Sequence, residues 1–188
     1  MSWLLLAVAV LATACSPQAD TPSPTATSET TATTTQPPTP EELAGEAAMA
    51  AYNGMQQVTE AADRDPGAKD WEPEIRQFAG DPFAFLVVQS IRDFATRGIR
   101  QVGEVTVEAE VTAVDLASLE GPTVMITACI DRSESDLVYA DTGESIRPPG
   151  APAELPRVVS NVKVIHYEAE PGEPWLVSTV DTHPDQPC

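Results

Sequence analysis

The side chains able to do chemistry near neutral pH are few: three cysteines, Cys15, Cys129 and Cys188, and two histidines, His166 and His183. An imidazole near its ordinary pKa can act as a general base, but it needs a partner that fixes its tautomer and aim. His166 stands beside Tyr167 in an apolar run and His183 in a Thr-His-Pro-Asp segment, neither with an orienting carboxylate at a defined spacing, so both read as structural residues. The acidic stretch Asp131-Arg132-Ser133-Glu134-Ser135-Asp136, with Asp141 and Glu144 nearby, has the charge for calcium. It lacks the EF-hand spacing and its glycine, and reads as a solvated loop between strands. Gly98, Gly103 and Gly121 are isolated, and there is neither a phosphate-binding loop nor a G-x-S-x-G elbow. No catalytic residue, metal ligand or cofactor is assigned, and the expected class is a binding protein rather than an enzyme.

Charge removes further classes. With 29 Asp and Glu against 10 Lys and Arg in 188 residues, the formal net charge is −19. Such a chain is repelled by phosphate backbones and gains nothing from counterion release, which excludes nucleic acid as a partner.

The residues that should position Cys15 come first in the chain. Trp3 to Leu11 is an unbroken apolar run, too short to span a hydrocarbon core that needs roughly 20 residues, and it reads as the apolar region of an export signal over residues 1–14. Leu11-Ala12-Thr13-Ala14-Cys15 resembles a bacterial lipobox, in which the cysteine thiolate takes a diacylglycerol and becomes the first residue of the mature chain. Ala12 stands where Leu is usual, which leaves Ala12-Thr13-Ala14 as a site for ordinary secretion instead. The expected partner of Cys15 is therefore the bacterial cell membrane, through lipid chains sufficient for stable attachment. Between Ser16 and Pro40 lie nine Thr, six Pro and three Ser in 25 residues, with no aromatic and no Lys or Arg. That composition has almost nothing to bury and predicts a disordered tether over 15–40 reaching on the order of 25 to 30 Å.

A folded domain is expected over 41–188. Thr39-Pro40-Glu41-Glu42 is a helix start: Thr39 as N-cap, Pro40 at the first helical position, and Glu42 closing a capping box. Leu43, Ala47, Ala48, Ala51, Tyr52, Met55, Val58 and Ala62 fall on one broad face of a helix that ends near Asp65-Pro66-Gly67. A short helix is expected over 71–79, and a third from Asp81-Pro82 to Gly98 with Phe83, Leu86, Val87, Ser90, Ile91 and Phe94 facing inward. The period then changes. Val105, Val107, Ala109, Val111 and Ala113 alternate with polar residues, as does 123–131 with Val124, Ile126, Ala128 and Ile130 on one side. Further strands are expected over 137–140, 158–167 and 175–182. Helices followed by an antiparallel meander make an α+β fold with the helices on one face of a curved sheet.

Once Cys15 is committed to lipid, Cys129 and Cys188 remain, and outside the cytoplasm an even pair has one possible bridge. It would hold the C-terminal segment onto the second of these strands; the alternatives are two free thiols or a metal-binding or nucleophilic Cys129.

The lipobox cysteine, the Thr/Pro tether, the helix with Ala48-Met49-Ala50-Ala51-Tyr52-Asn53-Gly54-Met55, the strand with Ile126 to Asp131, the Tyr139-x-Asp141-Thr142-Gly143 turn and the final Cys188 together resemble actinobacterial secreted lipoproteins with an NTF2-like fold. That resemblance implies a cone-shaped sheet wrapped by helices with a pocket at its wide end, but no single function. Candidate pocket residues are Tyr52, Trp71, Phe94, His166 and Trp175, although with so few aromatics the competing use is the core itself. The expected ligand is a small apolar molecule or a partner protein of the cell envelope; an empty homodimerisation module is the alternative. Ketosteroid isomerase and scytalone dehydratase carry acid–base residues inside such cones, so an enzyme of that kind, recruiting Asp131, Asp181 or His166, is a further alternative.

Overall fold

A computed structural model describes residues 37–147, 150 and 157–188. The expected signal peptide at 1–14, Cys15 and the tether as far as residue 36 lie outside the described residues. Thr39 caps the first helix, α1 (Pro40–Arg64), as its spacing requires. Its hydroxyl accepts from the Glu42 N–H at 3.2 Å, and the Glu42 carboxylate accepts from the Thr39 N–H at 2.7 Å. A short helix α2 (Glu72–Ile75) and a longer α3 (Phe83–Arg97) follow. Gly98, in the left-handed conformation at φ 63°, ends α3, as the lone glycine suggested.

The remainder is antiparallel sheet. β2 (Thr106–Asp115), β3 (Thr123–Asp131), β5 (Val158–His166) and β6 (Trp175–Pro187) form one sheet in the order β2-β3-β5-β6, while β1 (Ile99–Gly103) and β4 (Ser135–Tyr139) pair separately. The class is α+β, with helices packed against antiparallel sheets. α1 buries Ala44, Ala48, Ala51, Tyr52, Met55 and Ala62 against Val124, Ile126 and Ala128 of β3, Val162 and Val164 of β5, and Val177 of β6. The Ala-rich stripe lets the helix lie close over branched side chains. Cys129 and Cys188 are joined by a disulfide across 59 residues of sequence, and β6 extends to Pro187, beyond the expected Thr182.

One strand that the sequence did not announce appears, and three local expectations are corrected. β1 lacks a pattern of its own: Ile-Arg-Gln-Val-Gly is short and half polar, and it becomes a strand only because β4 supplies partners from Ile99↔Tyr139 to Gly103↔Ser135. In β2 a bulge between Val111 and Ala113 inserts one residue, so the alternation flips. Val114 packs on the core instead of Ala113, and Val111 is left exposed. Along α3 the buried residues are Ala84, Val88 and Ile91, while Leu86 is 56% exposed and Ser90 faces solvent. The first two turns, Phe83 to Val88, are apolar all round, so periodicity did not set the helix's rotation. Leu43 likewise stays exposed one turn into α1, where Ala44 and Gly45 take the buried side.

Candidate functional site

Along α1, Tyr52, Gln56, Thr59 and Asp63 follow one another at helical spacing, on the stripe that faces the sheet. They should be apolar if that stripe did nothing but pack. Instead, with Met55 and Glu60, they form one wall of a cavity of about 160 Å³. α3 contributes Phe83 and Val87, β1 Gln101, the β1–β2 connection Val105, β2 Val107, β3 Ile130, and β6 Val180 and Thr182. The size compares with an engineered apolar cavity of about 150 Å³ that takes benzene.

Polar groups gather at one end. Thr59 Oγ1 and Gln101 Nε2 are buried and have no hydrogen-bond partner among the described residues. Each such orphan costs roughly 1–3 kcal/mol in a folded protein. Burial pushes Asp63 up to about 6, with Arg132 pulling weakly the other way. Tyr52, 1% exposed, is pushed up to about 12 by burial, again opposed by Arg132, so its hydroxyl stays protonated and able to donate. Glu60 is committed to Arg64 at 2.6 Å. Arg132 reaches this position because of the acidic loop: Ser133 N–H donates to Asp131 Oδ1 at 2.9 Å, and the N–H and hydroxyl of Ser135 both donate to Arg132 O at 3.1 Å. Those bonds make Asp131–Ser135 a tight β3–β4 turn. Asp63, Gln101 and Arg132 also line a second recess of about 450 Å³ with Phe94, Ser135, Asp136, Leu137, Ile146 and Arg147. There Arg147 is tied to Asp136 at 3.1 Å and donates to Ser135 O at 2.8 Å.

The five pocket candidates do not share one cavity. Tyr52 lines the first cavity and Phe94 the second recess. Trp71 lies in a surface cleft between α2 and α3, its Nε1–H donating to Asp65 O at 3.2 Å and Lys69 Nζ standing 4.3 Å from its ring centre. His166 and Trp175 line none of these spaces: they are register partners on β5 and β6, stacked with ring centres 4.9 Å apart and planes 18° from parallel. The reason is their place in the sheet. They sit beyond the end where Thr123 pairs with Ile165, whereas Ile130 of the cavity lies seven residues along β3, roughly 23 Å away at 3.3 Å per residue. His166 Nε2–H donates to Glu173 O at 2.8 Å, which fixes the ring. His183 accepts from Asn161 Nδ2 at 2.9 Å and approaches the exposed Asp181 at 3.6 Å. Asp131 is held below the usual carboxylate range by its Ser133 bonds, with Arg157 adding to the effect. The groups named for acid–base work thus have separate local roles. Thr59, Asp63, Gln101 and Arg132 were not singled out from sequence, although polar Thr59 and Asp63 on the packed stripe of α1 were a readable signal.

No group of three or more His, Cys, Asp or Glu side chains is arranged to hold a metal among the described residues. No described helix is long and apolar enough to cross a membrane. No family model matches the chain, and no curated protein matches it. Among solved structures, it is similar to the crystal structure of the intermembrane space region of the chloroplast protein ARC6, at 12% identity and a TM-score of 0.49, covering 73% of this chain and 95% of that one. It also matches the solution structure of a de novo designed β-sheet protein at 15% identity and a TM-score of 0.33, covering 74% of this chain and 87% of that one. Both scores are low, and the fold described above rests on the chain's own elements.

Proposed function

We propose that this is an extracytoplasmic lipoprotein whose NTF2-like domain binds a small, largely apolar molecule in the cavity between α1 and the sheet. The observation that carries the reading is the pair of orphaned buried groups, Thr59 Oγ1 and Gln101 Nε2, in the wall of a cavity otherwise lined by Met55, Phe83, Val87, Val107, Ile130 and Val180. A ligand with an apolar body and one polar end would satisfy them, and this mixture of apolar walls with a few convergent polar groups is what small-molecule sites share. The disulfide supports a place outside the cytoplasm, where such bonds persist. Native mass spectra of the full-length chain, compared with denaturing spectra, test the ligand. Extra mass released on denaturation, and lost when Val107→Trp fills the cavity, is expected. An empty cavity in chain purified directly from its own membranes, with neither the wild type nor the filled variant losing mass on denaturation, overturns the reading. Membrane attachment through Cys15 is tested separately, since Cys15→Ser should move the chain from the membrane to the soluble fraction.

A second reading rests on Asp63. A carboxyl pushed up to about 6 in the wall of a cavity that also holds the Tyr52 hydroxyl is placed for proton transfer to a bound molecule. If the ligand, once known, is converted by wild type and merely bound by Asp63→Asn, the domain is an enzyme; equal fates in both leave it a binder.

A further inference from the structure

Toward the N-terminal end of α1, away from the cavity's polar end, the first four turns of the helix and the bulged part of β2 enclose a shallow groove of about 710 Å³, open to solvent. Its floor is apolar: Gly45, Met49, Ala50, Val111 and Val114. The bulge shapes this floor: Val111, the register partner of Ile126, lies against Gly45 of α1, and the extra residue after it brings Val114, the partner of Val124, onto the same helix-facing side. The rim is acidic, with Glu41, Glu42 and Glu46, and no Lys or Arg lines the groove. Glu42 is occupied by the capping box. Glu41 and Glu46 form no ion pair among the described residues, although eight of the chain's ten Lys and Arg do: Arg64, Lys69, Arg76, Arg92, Arg97, Arg147, Arg157 and Lys163.

From this arrangement we infer that the groove docks a cationic, amphipathic segment of another protein, whose apolar side chains lie on Met49, Ala50 and Val111 while its Lys or Arg meet Glu41 and Glu46. Charge decides the occupant. A second copy of this chain would bring its own Glu41 and Glu46 against this rim, and an anionic lipid surface would be repelled in the same way. A small molecule has no enclosure there, unlike in the cavity of about 160 Å³ farther along the helix. Met49 suits a surface that must accept side chains of varied shape, since its unbranched thioether adapts. Rim charges of this kind govern approach and choice of partner more than final affinity, so binding should weaken steeply with salt. The groove and the cavity share no lining residue, and docking does not depend on the ligand proposed above.

The test is fluorescence anisotropy of a labelled eight-residue peptide alternating Lys and Val, titrated with the full-length chain in phosphatidylcholine nanodiscs; empty discs and an alternating Glu-Val peptide serve as controls. The Lys-Val peptide is expected to bind at least about tenfold more tightly than Glu-Val. The pair Glu41→Lys with Glu46→Lys should weaken it by about tenfold, and the remote pair Glu168→Lys with Glu170→Lys, which changes net charge equally from an exposed loop, by less than about threefold. Equal losses from the two pairs would reduce the effect to diffuse charge and overturn the assignment, as would equal binding of the two peptides. A concentration-dependent doubling of size abolished by the groove pair would assign the face to a second copy and also overturn it. Should the groove pair fail to fold by circular dichroism, Ala50→Trp, which covers the floor from an exposed position, is judged by the same tenfold criterion.

Discussion

At one end of the sheet His166 lies flat on Trp175 and donates a ring N–H hydrogen bond to Glu173 O; at the other, Thr59 and Gln101 hold buried polar atoms with no partner among the described residues while Asp63 is held in a site that disfavours its charge. The first end has the residue types associated with chemistry, and every one of them is occupied. The second is built from a threonine, a glutamine, an aspartate and an arginine, and its polar groups are left open. Function is better sought where polar groups are buried without partners than where reactive side chains merely occur, because an unpaired buried group costs stability that packing alone would have removed.

The contrast can be broken by unfolding measurements on variants from each end. The largest effect is expected from the staple beside the cavity: Cys188→Ala opens a loop of 59 residues and should lower stability by about 4 kcal/mol in urea unfolding under non-reducing conditions. Next is Asp63→Asn. The folded chain holds a proton on Asp63 up to about 6, whereas the unfolded chain releases it near 3.8, so stability falls as pH rises through that window and the penalty is complete above it. The variant should therefore be more stable than wild type by on the order of 2 to 3 kcal/mol at pH 7.5 and indistinguishable at pH 3.5. A variant less stable at pH 7.5 would show that Asp63 is a satisfied partner of Arg132 and would erase the difference between the two ends. Thr59→Val, which removes an orphaned hydroxyl at nearly constant shape, should stabilise by about 1 kcal/mol. At the finished end the sign reverses: His166→Ala loses a stacked ring and a hydrogen bond and should cost about 1 kcal/mol, or somewhat less for so exposed a bond.

Much of the frame could be read in the chain because its signals are local. Thr39-Pro40-Glu41-Glu42, Gly98 and the alternation from Val124 to Ile130 each carry their own geometry, and the first helix, the end of the third and the central strand stand where those residues put them. β1 was not legible, since its strand character comes from β4, more than thirty residues away. The bulge was not legible either, and with it the inward turn of Val114 in place of Ala113. For the site, Tyr52 could be named from its type, but Gln101 and Arg132 converge on α1 only through the β1–β4 pair and the Asp131–Ser135 turn. Thr59 and Asp63 were within reach: two polar residues on a helix face that is otherwise Ala, Tyr and Met.

The bulge at Val111 and Ala113 also bears on how the molecule behaves in a crowd. β2 is an outer strand of its sheet, and a flat outer strand templates the addition of identical strands, the route by which sheets grow into fibrils. A ladder that breaks register midway offers no continuous template, and Glu108, Glu110 and Asp115 along the same strand repel their own copies. Many copies can therefore stand side by side at high local density without polymerising. That protection is part steric and part electrostatic, so acid weakens it without abolishing it.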